Sequence, residues 1–265
     1  MRIEPGTRAL VTGASRGIGR ALGERLAARG AVVGLAARSQ AELEALSERL
    51  PGSHHALPCD VGDRGSTQAA VEGFVARAGG LDLLVANAGV AHYGPFRSTP
   101  FERAEEMTRI NWLGTLHTVR SGLPYLIDRG RGHVVIVSSG AGLRSFPDAA
   151  VYGATKAAQR AFAEALRHEL TGTGVSLTVV YPGEIATSLH DHEKATLPAW
   201  YRGGARAVPA SRMAQRILAG VERDARAVHH PPFVRLLGAA HGISPALADR
   251  LLRALRGETA APRRS

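Results

Sequence analysis

Short apolar runs alternate along the chain with longer stretches in which apolar positions recur every three or four residues. The first pattern marks strands and the second marks helices. Residues 7–12 (TRALVT) predict a strand, followed by a glycine turn and a helix carrying Ala21, Leu22 and Leu26 that ends near Gly30. An apolar run at 31–37 and a helix at 40–50 come next. The alternation continues with a strand at 54–58, a helix at 65–78, a strand at 81–86 and a long helical region at 100–128. Then come a strand at 133–137, an Ala-rich helix containing Tyr152 and a strand at 176–181. Ser211 is a candidate N-cap for a helix at 213–223, and 225–229 reads as a last strand. Past Pro231-Pro232, an apolar stretch at 233–240 leads to a helix opening at Ser244-Pro245. That helix puts Leu247, Leu251 and Leu255 on one face and Arg250, Arg253 and Arg256 elsewhere.

Strands separated by helices of this length predict an α/β fold: a Rossmann-like, doubly wound parallel sheet in three layers, α/β/α. The 265 residues are read as a single domain, with a substrate loop at 184–210, a C-terminal helical extension at 231–257 and a flexible end at 258–265. In such a sheet a ligand lies beyond the carboxyl ends of the strands. The first strand end carries TGASRGIG, in which Gly13, Gly17 and Gly19 flank Ser15, Arg16 and Ile18. Glycines there let the backbone turn tightly and approach a diphosphate at a helix N-terminus, where unpaired N–H groups favour anions. Asp60 with Val61 follows the third strand, and Asn87-Ala88-Gly89 follows the fourth. Short polar residues and glycines at successive strand ends would line a crevice for an adenosine, although each is also ordinary turn chemistry.

Tyr152 and Lys156 stand four residues apart, on one face of a predicted helix. A phenol with an ordinary pKa of about 10 is a poor proton donor or acceptor at neutral pH. A single ammonium about 4 Å away supplies about 4 kcal/mol at the effective dielectric of a protein surface, enough to lower a phenol by about three units. Only two of the 33 cationic side chains are lysines, Lys156 and Lys194, so a lysine here marks a task for a compact ammonium.

Composition narrows the function classes. Apolar residues make up 45% of the chain and charged residues 21%, as in ordinary globular α/β proteins. The start of the chain lacks a basic region followed by an apolar stretch, and no run of 18 apolar residues occurs, which predicts a cytoplasmic protein. The lone Cys59 has no disulfide partner and reads as a half-buried thiol near a strand end. No cluster has metal-ligand spacing; His190-Asp191-His192 lacks a third ligand nearby. Residues 226–265 hold seven arginines and two acids, half of the net charge of +10. Elsewhere arginines are mixed with acids and aromatics are only 5%, so no nucleic-acid partner is expected. The amphipathic tail is read as packing on the substrate pocket or a partner subunit rather than attaching to an anionic membrane.

Taken together, the Thr-Gly-x-x-x-Gly-x-Gly turn and Tyr-x-x-x-Lys resemble the short-chain dehydrogenase/reductase family over roughly residues 7–187. Ser139, 13 residues before Tyr152, matches the family's catalytic serine, and Asn111 matches its helix asparagine. The resemblance implies a catalytic set of Asn111, Ser139, Tyr152 and Lys156. Tyr152 would pass a proton to or from the substrate oxygen, Ser139 would hydrogen-bond that oxygen, Lys156 would hold the nicotinamide ribose, and Asn111 would position a relay water. Pro182-Gly183 resembles the family's Pro-Gly loop, with Ile185 and Thr187 near the carboxamide. His92 and Tyr93 are candidate substrate contacts, and Trp112 reads as packing.

The second strand ends Ala37-Arg38-Ser39, without the acid that binds an NAD ribose, while Arg38 and Arg16 are placed to pair with a 2'-phosphate. NADP(H) is therefore the expected cofactor, and a ketone, aldehyde or alcohol of apolar character the expected small-molecule substrate. Likeness to the family also implies a homodimer or homotetramer formed through the long helices at 101–128 and 149–171. The rival reading is a non-catalytic NADP(H)-binding regulator or scaffold of the same fold.

Overall fold

A computed structural model describes residues 1–186, 207–246 and 248–250. Its centre is a seven-stranded, all-parallel sheet. The strands are β1 (Arg8–Thr12), β2 (Val32–Ala37), β3 (His54–Pro58), β4 (Leu83–Ala86), β5 (Gly132–Val137), β6 (Val175–Pro182) and, after two short strands, β9 (Ala227–His230). Their order is β3-β2-β1-β4-β5-β6-β9. The chain winds outward from β1 in one direction, then returns to β4 and winds outward in the other. The crossovers of the two halves diverge between β1 and β4, opening a crevice at the carboxyl ends of those two strands.

Alternation of side chains along each strand feeds two cores. Ala9 and Val11 of β1 point to the face covered by α1 (Gly17–Ala27), α2 (Gln40–Arg49) and α7 (Ala210–Glu222), which bury Leu22, Leu43 and Ile217 there. Leu10 points to the other face, covered by α3 (Arg64–Ala78), α5 (Gly114–Asp128) and α6 (Ala150–Glu169) through Phe74, Leu126 and Leu166. Three layers result, as the alternation predicts.

The predicted helix at 100–128 is a composite. α4 (Phe101–Met107) passes into a π-helical segment, Thr108–Leu113, before α5 begins at Gly114. Helix α7 starts at Ala210 with Pro209 at the N-cap, so Ser211 lies in the first turn and is not the cap. Pro209 is in extended conformation and pairs with Ala186, which ends the strand segment there. The apolar stretch at 233–240 forms α8 (Phe233–Ile243), and a further helical turn starts where Ala248 N–H donates to Ser244 O (3.1 Å). Strands β7 (Ile185–Ala186) and β8 (Val208–Pro209) pair in parallel and bring together the two ends of the predicted substrate loop. Thr187, His190, Asp191, His192 and Lys194 of that loop lie outside the described residues, as do Leu247, Leu251, Arg253, Leu255 and Arg256 of the tail. Among the described residues no helix is long and apolar enough to cross a membrane, and no group of His, Cys, Asp or Glu could hold a metal.

One buried titratable group makes the fold acid-sensitive. His133, fully buried on β5, faces Thr178 Oγ1 through Nε2 (2.8 Å). Thr178 donates its own proton to Ala225 O (2.6 Å), so Nε2 carries the hydrogen and Nδ1 is a bare acceptor, 3.9 Å from Asp224. Burial, aided by the N-terminal amine and opposed by Asp224, lowers the imidazole to about 4. An unfolded chain binds this proton near pH 6.5, the folded one only near 4, so the stabilisation is complete above pH 6.5 and is lost as pH falls through that window. At pH 5 the loss amounts to about 2 kcal/mol. Urea denaturation at pH 7.5 and pH 5 is expected to show this extra loss in the wild type and not in His133→Asn.

Candidate active site

The crevice between β1 and β4 is stitched by side-chain hydrogen bonds. Thr12 Oγ1 donates to Val85 O (3.2 Å) and accepts from the backbone N–H groups of Asn87 and Ala88 (3.1 and 3.3 Å). Asn87 Nδ2 returns a bond to Thr12 O (2.9 Å). Gly13 follows at φ 67°, and a Cβ there would meet Ala88 Cα at 2.8 Å. Gly19, one turn into α1, packs still closer: a Cβ would lie 2.2 Å from Gly13 O. Gly19 is buried and supports the turn from behind, whereas Gly13, Ser15, Arg16, Gly17 and Ile18 line the cleft. Arg16 is extended at the N-cap of α1 and no side chain caps that helix. The N–H groups of its first turn are left to a ligand, and the cradle fits the diphosphate of a dinucleotide.

From this turn one continuous cleft of about 580 Å³ runs across the carboxyl edge of the sheet. At one end Arg38, exposed after β2, shares the wall with Asp60 and Val61 after β3. Burial works to raise the Asp60 carboxyl, but a hydrogen bond from Gly62 N–H and the charges of Arg109 and Arg38 outweigh it and hold the group below its ordinary range. Glu42, on the first turn of α2, lines the same end, a carboxylate that the strand-end reading does not anticipate. Cys59 is buried rather than half-buried, and burial raises its thiol.

At the other end α6 presents Tyr152 and Lys156, 6% and 4% exposed, to the cleft beside Ser139. Ser139 caps the turn after β5 by accepting from Ala141 N–H (3.1 Å), and its hydroxyl shares the cleft wall with Tyr152. Lys156 Nζ donates to Val137 O (3.1 Å) and sits 5.8 Å from the centre of the tyrosine ring. Burial raises the Tyr152 phenol above its ordinary value, with the Ser139 hydroxyl pulling the other way. Burial also lowers Lys156 to about 7. The depression of the phenol expected from its neighbouring ammonium is thus reversed, because a site shielded from water penalises the charged form of each group.

Asn111 does not line the cleft. It is fully buried in the π-helical segment, where Oδ1 accepts from Val90 N–H (2.8 Å) and Nδ2 donates to Val90 O (2.9 Å) and Thr155 Oγ1 (3.1 Å). Both amide protons are committed to protein acceptors, so Asn111 ties the loop after β4 to α6. Gly89 of that loop lines the cleft with Asn87 and Ala88, as do Pro182, Gly183 and Ile185 after β6; Thr187 lies outside the described residues.

The 265-residue chain matches the family model described as short chain dehydrogenase over residues 7–198. The chain belongs to the short-chain dehydrogenase/reductase family. Members of this family are oxidoreductases that use nicotinamide dinucleotides. An uncharacterized oxidoreductase of Myxococcus xanthus is 41% identical over 184 residues, 68% of this chain and 73% of that protein. The glycine betaine reductase ATRR of Emericella nidulans is 41% identical over 187 residues, 69% of this chain but only 15% of that much longer protein. A Burkholderia phymatum short chain dehydrogenase/reductase solved in complex with NAD superposes with a TM-score of 0.82 at 23% identity, covering 93% of this chain and 96% of that one. An alcohol dehydrogenase from Thermococcus sibiricus complexed with 5-hydroxy-NADP gives 0.73 at 26% identity, covering 84% and 94%.

Several residues of the cleft escape sequence reasoning. Phe146, Phe233 and Val234 line it, the last two from α8, and Tyr93, already a candidate contact from the sequence, packs edge-on against Tyr152 (5.6 Å between ring centres) and at a tilt against Phe146 (6.0 Å). Arg144 also lines it and pairs with Asp249. No local motif signals these positions, since they come from loops and a helix far apart in sequence. His92 pairs with Glu106 (2.9 Å), and Trp112 packs edge-on against Phe162 (5.8 Å), a packing residue as read. Gly19→Ala forces the glycine turn away from its neighbours and is expected to destabilise the protein by about 1–3 kcal/mol. Thermal melts with and without dinucleotide should show a lower midpoint and a smaller ligand-induced rise than in the wild type.

Proposed function

We propose that this protein reduces a ketone or aldehyde to an alcohol with NADPH, Tyr152 serving as general acid. The observation carrying the reading is the buried Tyr152 phenol, lining with Ser139 and Lys156 the same cleft as the glycine turn. When bound, the nicotinamide supplies a hydride to the carbonyl carbon. The chain's own groups manage the oxygen. The phenol stays protonated at neutral pH, the form that can give a proton; burial makes it a weaker acid, so donation leans on the ammonium form of Lys156 and on Ser139. Ser139 hydrogen-bonds the oxygen as negative charge develops on it. Lys156, in its ammonium form, steadies the phenolate left behind and binds the ribose hydroxyls. Tyr93, Phe146 and Phe233 give the substrate end an aromatic wall, which supports an apolar carbonyl compound.

Arg16 and Arg38 support NADP(H), each able to form a charge-assisted bond to a 2'-phosphate. Glu42 on the same wall opposes it, so the selectivity is the balance of two cations against one carboxylate. A single domain, a cytoplasmic location and a homodimer or homotetramer through α4, α5 and α6 complete the reading by likeness to the family. A non-catalytic dinucleotide-binding regulator would share the fold, but would have no need to keep Asn111, Ser139, Tyr152 and Lys156 together.

Tyr152→Phe is expected to lower turnover of a carbonyl panel by about 10²–10⁴-fold with NADPH affinity unchanged, measured by NADPH oxidation and fluorescence titration. Turnover that survives this change refutes the assignment. Arg38→Ala should weaken NADPH binding by about 10–100-fold and leave NADH untouched; equal kcat/KM for the two cofactors in the wild type would rule out the NADP preference. Because Lys156 is charged below about 7 and neutral above, kcat/KM for reduction should fall as pH rises through that value.

A further inference from the structure

Gln159 lies one turn beyond Lys156 on the face of α6 that carries Tyr152, and it is fully buried. Its Nε2 donates to Asn111 O (2.8 Å) and to Thr115 Oγ1 (2.6 Å), and Thr115 Oγ1 donates in turn to Asn111 O (2.8 Å). The triangle fixes the orientation of the amide. Both of its partners offer lone pairs, the threonine proton being already used, so only the NH2 end can face them. Oε1 therefore points away, buried and without a partner among the described residues. A buried acceptor left unmet carries a cost that an apolar side chain of the same length would avoid, and its presence calls for a reason.

The reason lies in the π-helical segment. Widening the helix at Thr108–Leu113 shifts its ladder to i+5 bonds, as where Gly114 N–H donates to Arg109 O, and two side-chain donors reach the segment at Asn111 O. Asn111 O receives two, one from within its own helix and one from α6. With the carbonyl held, the Asn111 amide bridges Val90 of the cofactor loop to Thr155, and Thr155 Oγ1 donates to Tyr152 O (2.8 Å).

We propose that Gln159 is a positioning residue that locks the π-turn, and through Asn111 sets Tyr152 and the Gly89-Val90 loop in their working places. The proposal rests on the reduction assigned above, but it can be tested apart from it. Gln159→Met keeps the length of the side chain, removes the donor and removes the unmet acceptor. Turnover should fall between about tenfold and a hundredfold, with KM for the carbonyl substrate within about twofold and the melting midpoint little changed. Thr115→Val, which breaks another side of the triangle, should shift turnover the same way by less. Trp112, beside Asn111 and packed on Phe162 of α6, reports the turn directly. In a Trp200→Phe background, where Trp112 is the sole tryptophan, its emission and near-ultraviolet circular dichroism should change on Gln159→Met. A Trp112 signal identical to that of the parent overturns the proposal, as does a loss confined to melting temperature with turnover intact. If the parent turns over no carbonyl compound, the assigned reaction fails while the Trp112 signal still judges the lock.

Discussion

The site depends on the burial of one face of α6 against the carboxyl end of β5. Lys156 Nζ donates to Val137 O, and Ser138 Oγ donates to Lys156 O (2.8 Å), so the helix is pinned to the strand end on both sides of the lysine backbone. An ammonium held mainly by a backbone carbonyl, away from bulk water, is costly to charge, which is why its proton is loosely bound. The same enclosure holds the proton on Tyr152 tightly. A phenol whose proton is held tightly is a weak acid, so any proton it delivers depends on the ammonium form of the neighbouring Lys156.

Around that pair the fold supplies position rather than chemistry. The divergence of crossovers between β1 and β4 opens the crevice, and Thr12 and Asn87 hold its two edges together with mutual hydrogen bonds. Glycines allow the backbones of the first turn and the fourth strand end to approach within contact distance. The π-helical segment then moves Asn111 to where its amide can bridge the fourth strand end and α6. Each device places a polar group by means of an apolar layer behind it, from Leu22 on one face to Phe74 on the other.

Much of this was legible along the chain. Periods of two and of three to four follow from side-chain geometry alone, so the alternation of strands and helices is written locally, and the parallel sheet with it. Tyr152, Lys156, Ser139 and the glycine turn stand in short motifs, and the cleft gathers them as their spacing implies. Less legible were boundaries set by partners. Pro209 replaces Ser211 as the cap of α7 because it pairs with Ala186, and the helix at 100–128 is interrupted by a π-turn to which Gln159 of α6 donates a hydrogen bond. Glu42, Phe233 and Arg144 reach the cleft from elements with no motif of their own.

The sequence by itself determined the layer order of the fold through local periodicity, and the resemblance of its short motifs to a known family implied which hydroxyl, phenol and amine meet at one strand edge. Tertiary structure alone decided the direction in which the tyrosine and lysine shift, the commitment of both Asn111 amide protons, and the walls around the substrate end. Proton affinity and hydrogen-bond partnership depend on what encloses a group, and enclosure comes from residues far apart along the chain.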